Sequence, residues 1–312
     1  MKYLVTGGYG FVGSHLVEKL VKDGHEVTVL DNLTNGQLDN LGNVRRDITS
    51  YLSNVEQMQT TIFNTKFDGI FHLATAPRSS SLKDPMKDIE TNCKGMIAVL
   101  ELARVHGAKV IFTSNSGIYG SAGNIDSINE NSINDPTTPY DADKLVSEYY
   151  CKIYHKIHGV RSTIVRFATV YGERQVVNEK LNWRPLVATF VKNIVNRETV
   201  VVNGDGDQTR DLIYVEDAVR GVLKAINSDV DNADVFLIST NVETSVNQVL
   251  QHVQEIAGVK AKVSHSEPLK GDIRRMKYDY SKAKKSLGFE PNYSVHEGIK
   301  RLVGYATKKQ VV

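Results

Sequence analysis

The sequence predicts an α/β protein with a doubly wound parallel sheet and a smaller C-terminal domain. Short apolar runs alternate with helix-period segments as far as residue 167, which is typical of parallel strands whose connecting helices cover both faces of a sheet. After Ala168 the pattern becomes irregular, with charged and amide residues between the remaining elements. We therefore expect one domain formed by residues 1–167 with 212–257, and a second formed by residues 168–211 with 258–312.

The first predicted strand, residues 3–5, leads into a glycine-rich turn. Gly7, Gly10 and Gly13 follow one another at three-residue spacing. In such a turn the first glycine lets the chain leave the strand sharply, and the second lets the backbone approach a pyrophosphate. The third lets the next helix pack close to the sheet. The N–H groups of Phe11 and Val12, at the start of that helix, would face the phosphates.

The helix is predicted to end at Gly24, and residues 27–30 form the second strand, which closes with Asp31. A carboxylate at this distance from the glycines suits hydrogen bonds from an adenosine ribose, and its charge would repel a 2′-phosphate. The first 31 residues therefore predict a dinucleotide site that prefers NAD to NADP.

The same alternation continues along the chain. Further strands of the sheet are predicted at residues 44–46, 69–73, 109–113 and 161–166, and helices at about 50–64, 86–106 and 140–157. In the irregular part, strands are predicted at 200–202, 212–214, 235–238 and 261–263, and helices at 185–196, up to 227, and at 246–256, 281–287 and 294–307. Residues 114–139 read as one long polar loop, and a loop of that length inside a compact domain is usually functional.

Composition and charge restrict the class of protein. The 312 residues are 41% hydrophobic and 24% charged, with a formal net charge of +2, as in ordinary soluble globular proteins. Scattered lysines form no basic stripe, so we expect no nucleic-acid binding. Apolar runs are too short to span a membrane, and we expect no signal peptide because the N-terminus enters a strand at once. Cys93 and Cys151 fall in predicted helices, which favours free thiols in a reducing cytoplasm.

Tyr140 and Lys144 are the strongest catalytic candidates. Their four-residue spacing at the start of a helix stacks both side chains on one face, which would point at the loop after the fifth strand. The pKa of a free tyrosine, near 10, is too high for a base at neutral pH. One cation about 4 Å away contributes roughly 4 kcal/mol at an effective dielectric of 20, or about three pKa units. We therefore expect Lys144, assisted by oxidised nicotinamide, to bring the pKa of Tyr140 near neutrality.

An ordered series of motifs resembles the extended short-chain dehydrogenase/reductases that act as NAD-dependent sugar-nucleotide epimerases and dehydratases. The motifs cover nearly the whole chain. They are T-G-G-Y-G-F-V-G at 6–13, D-N-L-T-N-G at 31–36, D-I at 47–48, H-L-A at 72–74, S-L-K-D-P at 81–85, N-C-K-G at 92–95, I-Y-G at 118–120, Y-D-A-D-K at 140–144, R-D-L-I-Y-V-E-D at 210–217 and D-Y-S-K-A at 279–283.

The resemblance implies three groups of site residues. The catalytic group is Tyr140 as acid/base, Lys144 as the residue that holds the ribose, and Asn115. The residues around NAD are Gly7, Gly10, Phe11, Val12, Asp31, Asn32, Asp47, Ile48, Leu73, Ala74 and Asn92, together with Tyr140 and Lys144. The substrate group is Ser81, Ser116, Thr169, Arg210, whose bidentate fork suits a diphosphate, and Arg274, with Arg275 as its alternative.

Asn115 departs from the family pattern. Most members carry Ser or Thr at this position, four residues before the tyrosine of the Y-G pair, with a hydroxyl that bonds the reacting hydroxyl of the sugar. An amide donates and accepts hydrogen bonds but does not relay a proton. Either Tyr140 acts directly, or Ser114 or Ser116 takes over the role of the missing hydroxyl.

Two further departures concern the substrate side. Thr169 stands where an asparagine usually follows the sixth strand, and Leu269 and Lys270 stand where an arginine usually precedes G-D. The resemblance implies an unchanged fold and NAD site, whereas the identity of the sugar is left open.

The resemblance implies a 4-epimerase of a nucleotide sugar, with a UDP-hexose such as UDP-glucose or UDP-galactose as substrate. Family dehydratases place Asp-Glu directly after the threonine, whereas Ser116 and Gly117 follow Asn115 here. This difference argues against a 4,6-dehydratase and a UDP-glucuronate decarboxylase, unless a carboxylate such as Asp141 or Glu173 substitutes. A ketoreductase and a non-catalytic nucleotide-binding protein are the remaining alternatives.

The family also implies a homodimer. Its members often pair the helices that correspond to residues 86–106 and 140–157. The alternative is that the apolar faces of these helices only cover the sheet of their own chain.

Overall fold

A seven-stranded parallel sheet forms the centre of the protein. The computed structural model describes residues 1–58, 62, 64–124, 127–177, 184–268 and 273–310. The strands are β1 Lys2–Thr6, β2 Glu26–Asp31, β3 Ile48–Leu52, β4 Gly69–His72, β5 Lys109–Asn115, β6 Ser162–Phe167, β7 Thr169–Tyr171, β8 Val200–Asn203, β9 Thr209–Tyr214, β10 Asn232–Ile238, β11 Glu243–Ser245 and β12 Val263–Ser266. The large sheet has the order β10-β6-β5-β4-β1-β2-β3, which confirms the predicted fold class.

Helices connect these strands. They are α1 Phe11–Lys22, α2 Arg78–Ser81, α3 Pro85–Ile89, α4 Gly95–His106, α5 Pro139–His158, α6 Leu186–Val195, α7 Val215–Ile226, α8 Val246–Ala257, α9 Ser281–Leu287 and α10 Val295–Gln310. One π-helical turn, Glu90–Lys94, joins α3 to α4. Within the described part of the chain, no helix combines the length and the apolar character that crossing a bilayer requires.

The sheet is buried on both faces. Along β1, Leu4 packs into one hydrophobic cluster while Tyr3 and Val5 pack into the other, because successive side chains of a strand point to opposite faces. Helices α4 and α5 cover the first face, and α1 and α7 cover the second. Burial on both sides explains why the strands read as continuous apolar runs in the sequence.

A buried ion pair fixes α5 on the sheet. Arg166 on β6 donates through Nε and Nη2 to the two carboxylate oxygens of Glu148 on α5, at 2.9 and 2.6 Å. The third guanidinium nitrogen, Nη1, donates to the hydroxyl of Tyr119 at 2.7 Å. The side chains of Arg166 and Glu148 are only 3% and 1% exposed. Because a bidentate pair of this kind allows only one relative orientation of its two side chains, it fixes the position of α5, whose first turns are residues 139–144.

The C-terminal part has its own core. A three-stranded sheet with the order β11-β9-β7 and the parallel pair β12-β8 pack with α6, α8 and α10 around a third hydrophobic cluster. Helix α8 contributes Val246, Val249 and Val253 to this cluster. Residues 246–257 were predicted to belong to the larger domain; they pack in this third cluster, and the bounds of the two domains stay predictions.

The third strand lies later in the chain than predicted. Residues 42–46 form turns, and β3 runs from Ile48 to Leu52, so the strand expected at 44–46 and the start of the helix expected at 50–64 are both wrong. The reason is register, because β3 pairs with the whole of β2, from Val27 with Ile48 to Asp31 with Leu52. A single 3₁₀ turn, Val55–Gln57, follows, and residues 59–61 and 63 of the predicted helix lie outside the described residues.

Candidate active site

A cavity of about 1190 Å³ opens at the carboxyl ends of the parallel strands and continues to the C-terminal core. One wall consists of the β1–α1 turn, the ends of β2, β4 and β5, and the start of α5. The opposite wall comes from α6, β8 and β9. Ligands of open α/β sheets bind at this end, beside the strand where the order reverses, and here that strand is β1.

The glycine turn forms a close-packed cradle at one end of the cavity. Gly7 has a φ of +71°, and a Cβ there would lie 2.7 Å from the backbone nitrogen of Ala74. A Cβ on Gly13 would lie only 2.1 Å from the carbonyl oxygen of Gly7. Gly10 has an ordinary φ of −73° and lines the cavity with Phe11 and Val12. The cradle therefore fits the phosphates of a dinucleotide at the N-terminus of α1.

Asp31 lies where a ribose carboxylate is required. It ends β2, lines the cavity and is 7% exposed. Its two oxygens accept hydrogen bonds from the backbone N–H groups of Tyr9 at 3.0 Å and Leu33 at 2.8 Å. Burial raises the pKa of Asp31, and these two hydrogen bonds act against the rise. Gly36 keeps the approach to Asp31 open, since a Cβ there would lie 3.0 Å from Oδ1.

Several residues predicted around NAD lie away from the cavity. Asp47 and Ile48 stand at the beginning of β3, and the cavity instead meets Ser53 and Val55 after its carboxyl end. The late start of β3 explains this correction. Asn32, Leu73 and Ala74 line the cavity as predicted.

Asn92 supports the cavity wall from behind. It is 2% exposed and does not line the cavity. Its Oδ1 accepts hydrogen bonds from the hydroxyl of Thr75 at 2.8 Å and from the backbone N–H of Ala76 at 3.2 Å. Asn92 therefore holds the loop after β4, and its contact with NAD stays a prediction.

The predicted substrate residues also divide into those that line the cavity and those that do not. Ser116, Thr169 and Arg210 line the cavity, and Arg210 donates to the carbonyl oxygens of Thr209 and Ile273 at 2.7 and 2.8 Å. Ser81 is fully buried, bonds the carbonyl oxygen of Arg78 and lines no part of the cavity.

Arg274 also lies away from the cavity. It is half exposed and pairs with Asp205 at 2.7 Å, and its contact with the substrate stays a prediction. Arg275 pairs with Glu243 at 2.7 Å instead of facing the cavity. Leu269 and Lys270 lie outside the described residues.

Tyr140 and Lys144 lie together on the first turns of α5. Lys144 is 2% exposed, and its Nζ donates to the carbonyl oxygen of Thr113 at 3.0 Å. The same nitrogen lies 5.8 Å from the ring centre of Tyr140. Thr138 caps the helix by accepting a hydrogen bond from the backbone N–H of Asp141. Both predicted catalytic side chains therefore face the cavity at the end of β5.

Burial dominates the electrostatics of this pair. It raises the pKa of Tyr140 to about 12, while a hydrogen bond with Thr75 and the charge of Arg78 act in the opposite direction. It lowers the pKa of Lys144 to about 8. The expectation that Lys144 brings the phenol near neutrality is therefore wrong for the protein chain by itself, because burial penalises the charged form of both groups.

Arg78 is a functional candidate that the sequence alone did not indicate, and Asp141 was considered only as a substitute carboxylate. Arg78 begins α2, shortly after β4, and lines the cavity. It donates to the carboxylate of Asp141, which follows Tyr140 and is fully buried. The position of Arg78 just after the H-L-A motif of the fourth strand was the available signal, since that loop lies at the ligand end of the sheet.

A glycine cradle, a ribose carboxylate and a Tyr–Lys pair around one cavity define a dinucleotide-binding enzyme of the short-chain dehydrogenase/reductase type. The sequence matches the NAD dependent epimerase/dehydratase family over residues 3–239, and the chain belongs to this family. Its cofactor is NAD, which the cradle and Asp31 fit.

Similar proteins include more than one enzyme class. The crystal structure of UDP-glucose 4-epimerase from Thermotoga maritima with UDP-glucose has a TM-score of 0.93 and 37% identity, covering 99% of this chain and 100% of that one. UDP-glucose 4-epimerase of Mycolicibacterium smegmatis is 31% identical over 99% of both chains. UDP-glucuronic acid decarboxylase 1 of Arabidopsis thaliana is 32% identical over 97% of this chain and 69% of its own length.

Replacing Gly10 and Gly13 by alanine is expected to have different effects. In Gly13→Ala the new Cβ meets backbone that has no room to move, so unfolding in urea should show a loss of about 1–3 kcal/mol. A Cβ on Gly10 would lie 3.1 Å from the carbonyl oxygen of Gly7, so Gly10→Ala should lose less stability than Gly13→Ala, and it should bind NAD at least tenfold more weakly, about 1.4 kcal/mol, in calorimetric titration. Wild-type stability of Gly13→Ala, or wild-type NAD affinity of Gly10→Ala, would contradict the assignment of the cradle.

Proposed function

We propose that the protein is an NAD-dependent nucleotide-sugar 4-epimerase that acts on a UDP-hexose such as UDP-glucose or UDP-galactose. The observation that carries the proposal is the phenol of Tyr140, which faces the cavity beside Lys144. When bound, NAD supplies the acceptor and later the donor of the hydride at C4 of the sugar. Epimerisation needs only one acid/base group on the protein, because the same group takes the C4 hydroxyl proton and returns it.

Each residue has a defined role in this proposal. Tyr140 takes the proton of the C4 hydroxyl, and Lys144 holds the ribose of the cofactor. Arg210 binds the diphosphate of the substrate from the opposite wall of the cavity. The cavity is long enough to place both ligands end to end, since its lining runs from the glycine turn to α6 and β9.

Asp141 and Glu173, the two carboxylates that could replace the missing Asp-Glu pair, have hydrogen-bond partners within the chain. Asp141 accepts hydrogen bonds from Arg78, Thr138 and Asn115 and is fully buried. Glu173 accepts the hydroxyl of Tyr214 on both oxygens, at 2.8 and 2.7 Å. Neither is placed to remove a C5 proton or expel a C6 hydroxyl, which favours epimerisation over elimination.

Asp88 favours the second candidate, a 4,6-dehydratase or a UDP-glucuronate decarboxylase. It contributes to the lining of the cavity although it is only 1% exposed. Burial, and next its hydrogen bond with Asp143, raise the pKa of Asp88 to about 7. A carboxyl group with such a pKa can act as an acid or a base near neutral pH.

Helix α5 also carries a surface that supports a homodimer. Val146, Tyr149, Ile153 and Ile157 are 41–66% exposed and recur at spacings of three and four residues, which gives one apolar stripe. Met86 on α3 is 68% exposed. We propose that two chains pair these helices. The buried thiols of Cys93 and Cys151 fit a reducing cytoplasm as the location.

Incubation with nucleotide sugars tests the reaction. We expect the protein to interconvert UDP-glucose and UDP-galactose, or their N-acetyl or uronic acid forms, without added NAD, as resolved by chromatography. Tyr140→Phe should lower turnover by about 10²–10⁴-fold while NAD stays bound, and Asp88→Asn should keep most of the activity. A keto-sugar or a UDP-pentose product would support the second candidate, and near-normal turnover of Tyr140→Phe would remove this residue from the mechanism.

The dimer is tested by the mass of the protein in solution. Ile153→Lys should shift the particle from two chains to one in light scattering, because a charge replaces an apolar contact at the centre of the stripe. Val242→Lys is the matched control, since Val242 is 52% exposed but lies outside α5. A monomeric wild type, or dissociation by both variants alike, would refute this interface.

A further inference from the structure

Asp141 organises the polar wall beside Tyr140. Its Oδ2 accepts hydrogen bonds from Nη2 of Arg78 at 2.8 Å and from the hydroxyl of Thr138 at 2.6 Å. Its Oδ1 accepts a hydrogen bond from Nδ2 of Asn115 at 2.9 Å. Gly117 leaves the space for this oxygen, because a Cβ there would lie 2.3 Å from Oδ1. The carboxylate is thus held by donors from the end of β5, the start of α2 and the N-cap of α5.

This contact decides which way the amide of Asn115 points. An ionised carboxylate accepts hydrogen bonds and donates none, so the NH₂ group of Asn115 must face Asp141. The carbonyl oxygen, Oδ1, is then directed away from the carboxylate. Oδ1 is buried and has no hydrogen-bond partner in the described chain, although Asn115 lines the catalytic cavity. A buried acceptor without a donor is costly, and a donor on a ligand in the cavity satisfies it.

Arg78 completes the arrangement from the opposite side. It holds Asp141 by two nitrogens, Nε at 3.3 Å and Nη2 at 2.8 Å. The charge of Arg78 lowers the pKa of Tyr140, whereas the charge of Asp141 raises it. Because the two effects oppose each other, the pair can orient Asn115 without adding a large net charge beside the phenol.

We propose that Arg78 and Asp141 are positioning residues, which act by fixing the carbonyl oxygen of Asn115 toward the substrate. There it accepts a hydrogen bond from the reacting hydroxyl of the sugar, and the proton of that hydroxyl passes to Tyr140. This inference rests on the proposed function. It assigns the site a requirement for a hydrogen-bond donor on the substrate, because Asn115 offers an acceptor and takes no proton itself.

A double-mutant cycle tests the proposal. Asp141→Asn has almost the same shape, but its side chain both donates and accepts, so the amide of Asn115 is free to turn over. We expect kcat to fall at least tenfold with little change in KM or in the unfolding midpoint. In an Asn115→Thr background, Asp141→Asn should lower kcat less than threefold. The reason is that a hydroxyl group can both donate and accept a hydrogen bond, whether residue 141 is Asp or Asn. An equal loss in both backgrounds would show a merely structural role and overturn the proposal.

Arg78→Gln provides the second route if Asp141→Asn does not fold. This substitution removes the ion pair by changing its more exposed partner, since the side chain of Arg78 is 44% exposed. The loss of kcat should again be suppressed by Asn115→Thr. An unsuppressed loss, or no loss, would contradict the role of Arg78.

A binding measurement separates this proposal from the proposed function. Calorimetry should show that wild type binds UDP-glucose more tightly than the 4-deoxy analogue, and that Asp141→Asn and Asn115→Ala lose this preference. If wild type converts no nucleotide sugar but shows the preference, the proposed reaction fails and the role of Asn115 stands. If wild type turns over the sugar but shows no preference, the positioning role fails.

Discussion

The proposed chemistry depends on a phenol and an ammonium group that are buried together. The pKa of Tyr140 is raised to about 12 and that of Lys144 is lowered to about 8, so the folded chain favours the neutral form of each. Burial alone would therefore make Tyr140 a poor base. Oxidised nicotinamide carries a positive charge, which favours the phenolate. In the proposed mechanism, Tyr140 therefore acts as a base in the complex with NAD.

The rest of the structure holds this pair in place. Arg166 and Glu148 fix α5 on the sheet through a bidentate contact in the core. At the N-terminus of the same helix, Arg78 and Asp141 fix the loops that face Tyr140. The glycine cradle and Asp31 lie at the far end of the same cavity. Rigid placement of these groups matters because electrostatic effects on a pKa fall with distance and with access of water.

Local patterns in the sequence were sufficient for part of the site. Gly7, Gly10 and Gly13 mark the cradle because each requirement is a property of one backbone position. The position of Asp31 as a ribose carboxylate can be inferred from the length of one strand–helix–strand unit. Tyr140 and Lys144 follow from helical spacing. In all these cases the signal and the geometry lie within about thirty residues, so tertiary packing adds little to the inference.

Other features depend on contacts between distant segments. Asp47 and Ile48 were misplaced because the register of β3 is set by pairing with β2. The ion pair of Arg274 with Asp205 spans 69 residues, so no local pattern indicates it. Arg78 and Asp141 are 63 residues apart, and nothing in the spacing of either indicates the other. For the protein chain by itself, the pKa of Tyr140 also moves in the direction opposite to the one expected, because the cost of burial outweighs the charge of a neighbour.

Titration of the phenol tests the central claim most directly. The absorbance of tyrosinate, taken as the difference between wild type and Tyr140→Phe, can be followed against pH with and without oxidised NAD. We expect Tyr140 to ionise only in the strongly alkaline range without NAD, in keeping with a pKa of about 12, and at a clearly lower pH when NAD is bound. Ionisation at the same pH in both states, or near neutral pH without NAD, would contradict it.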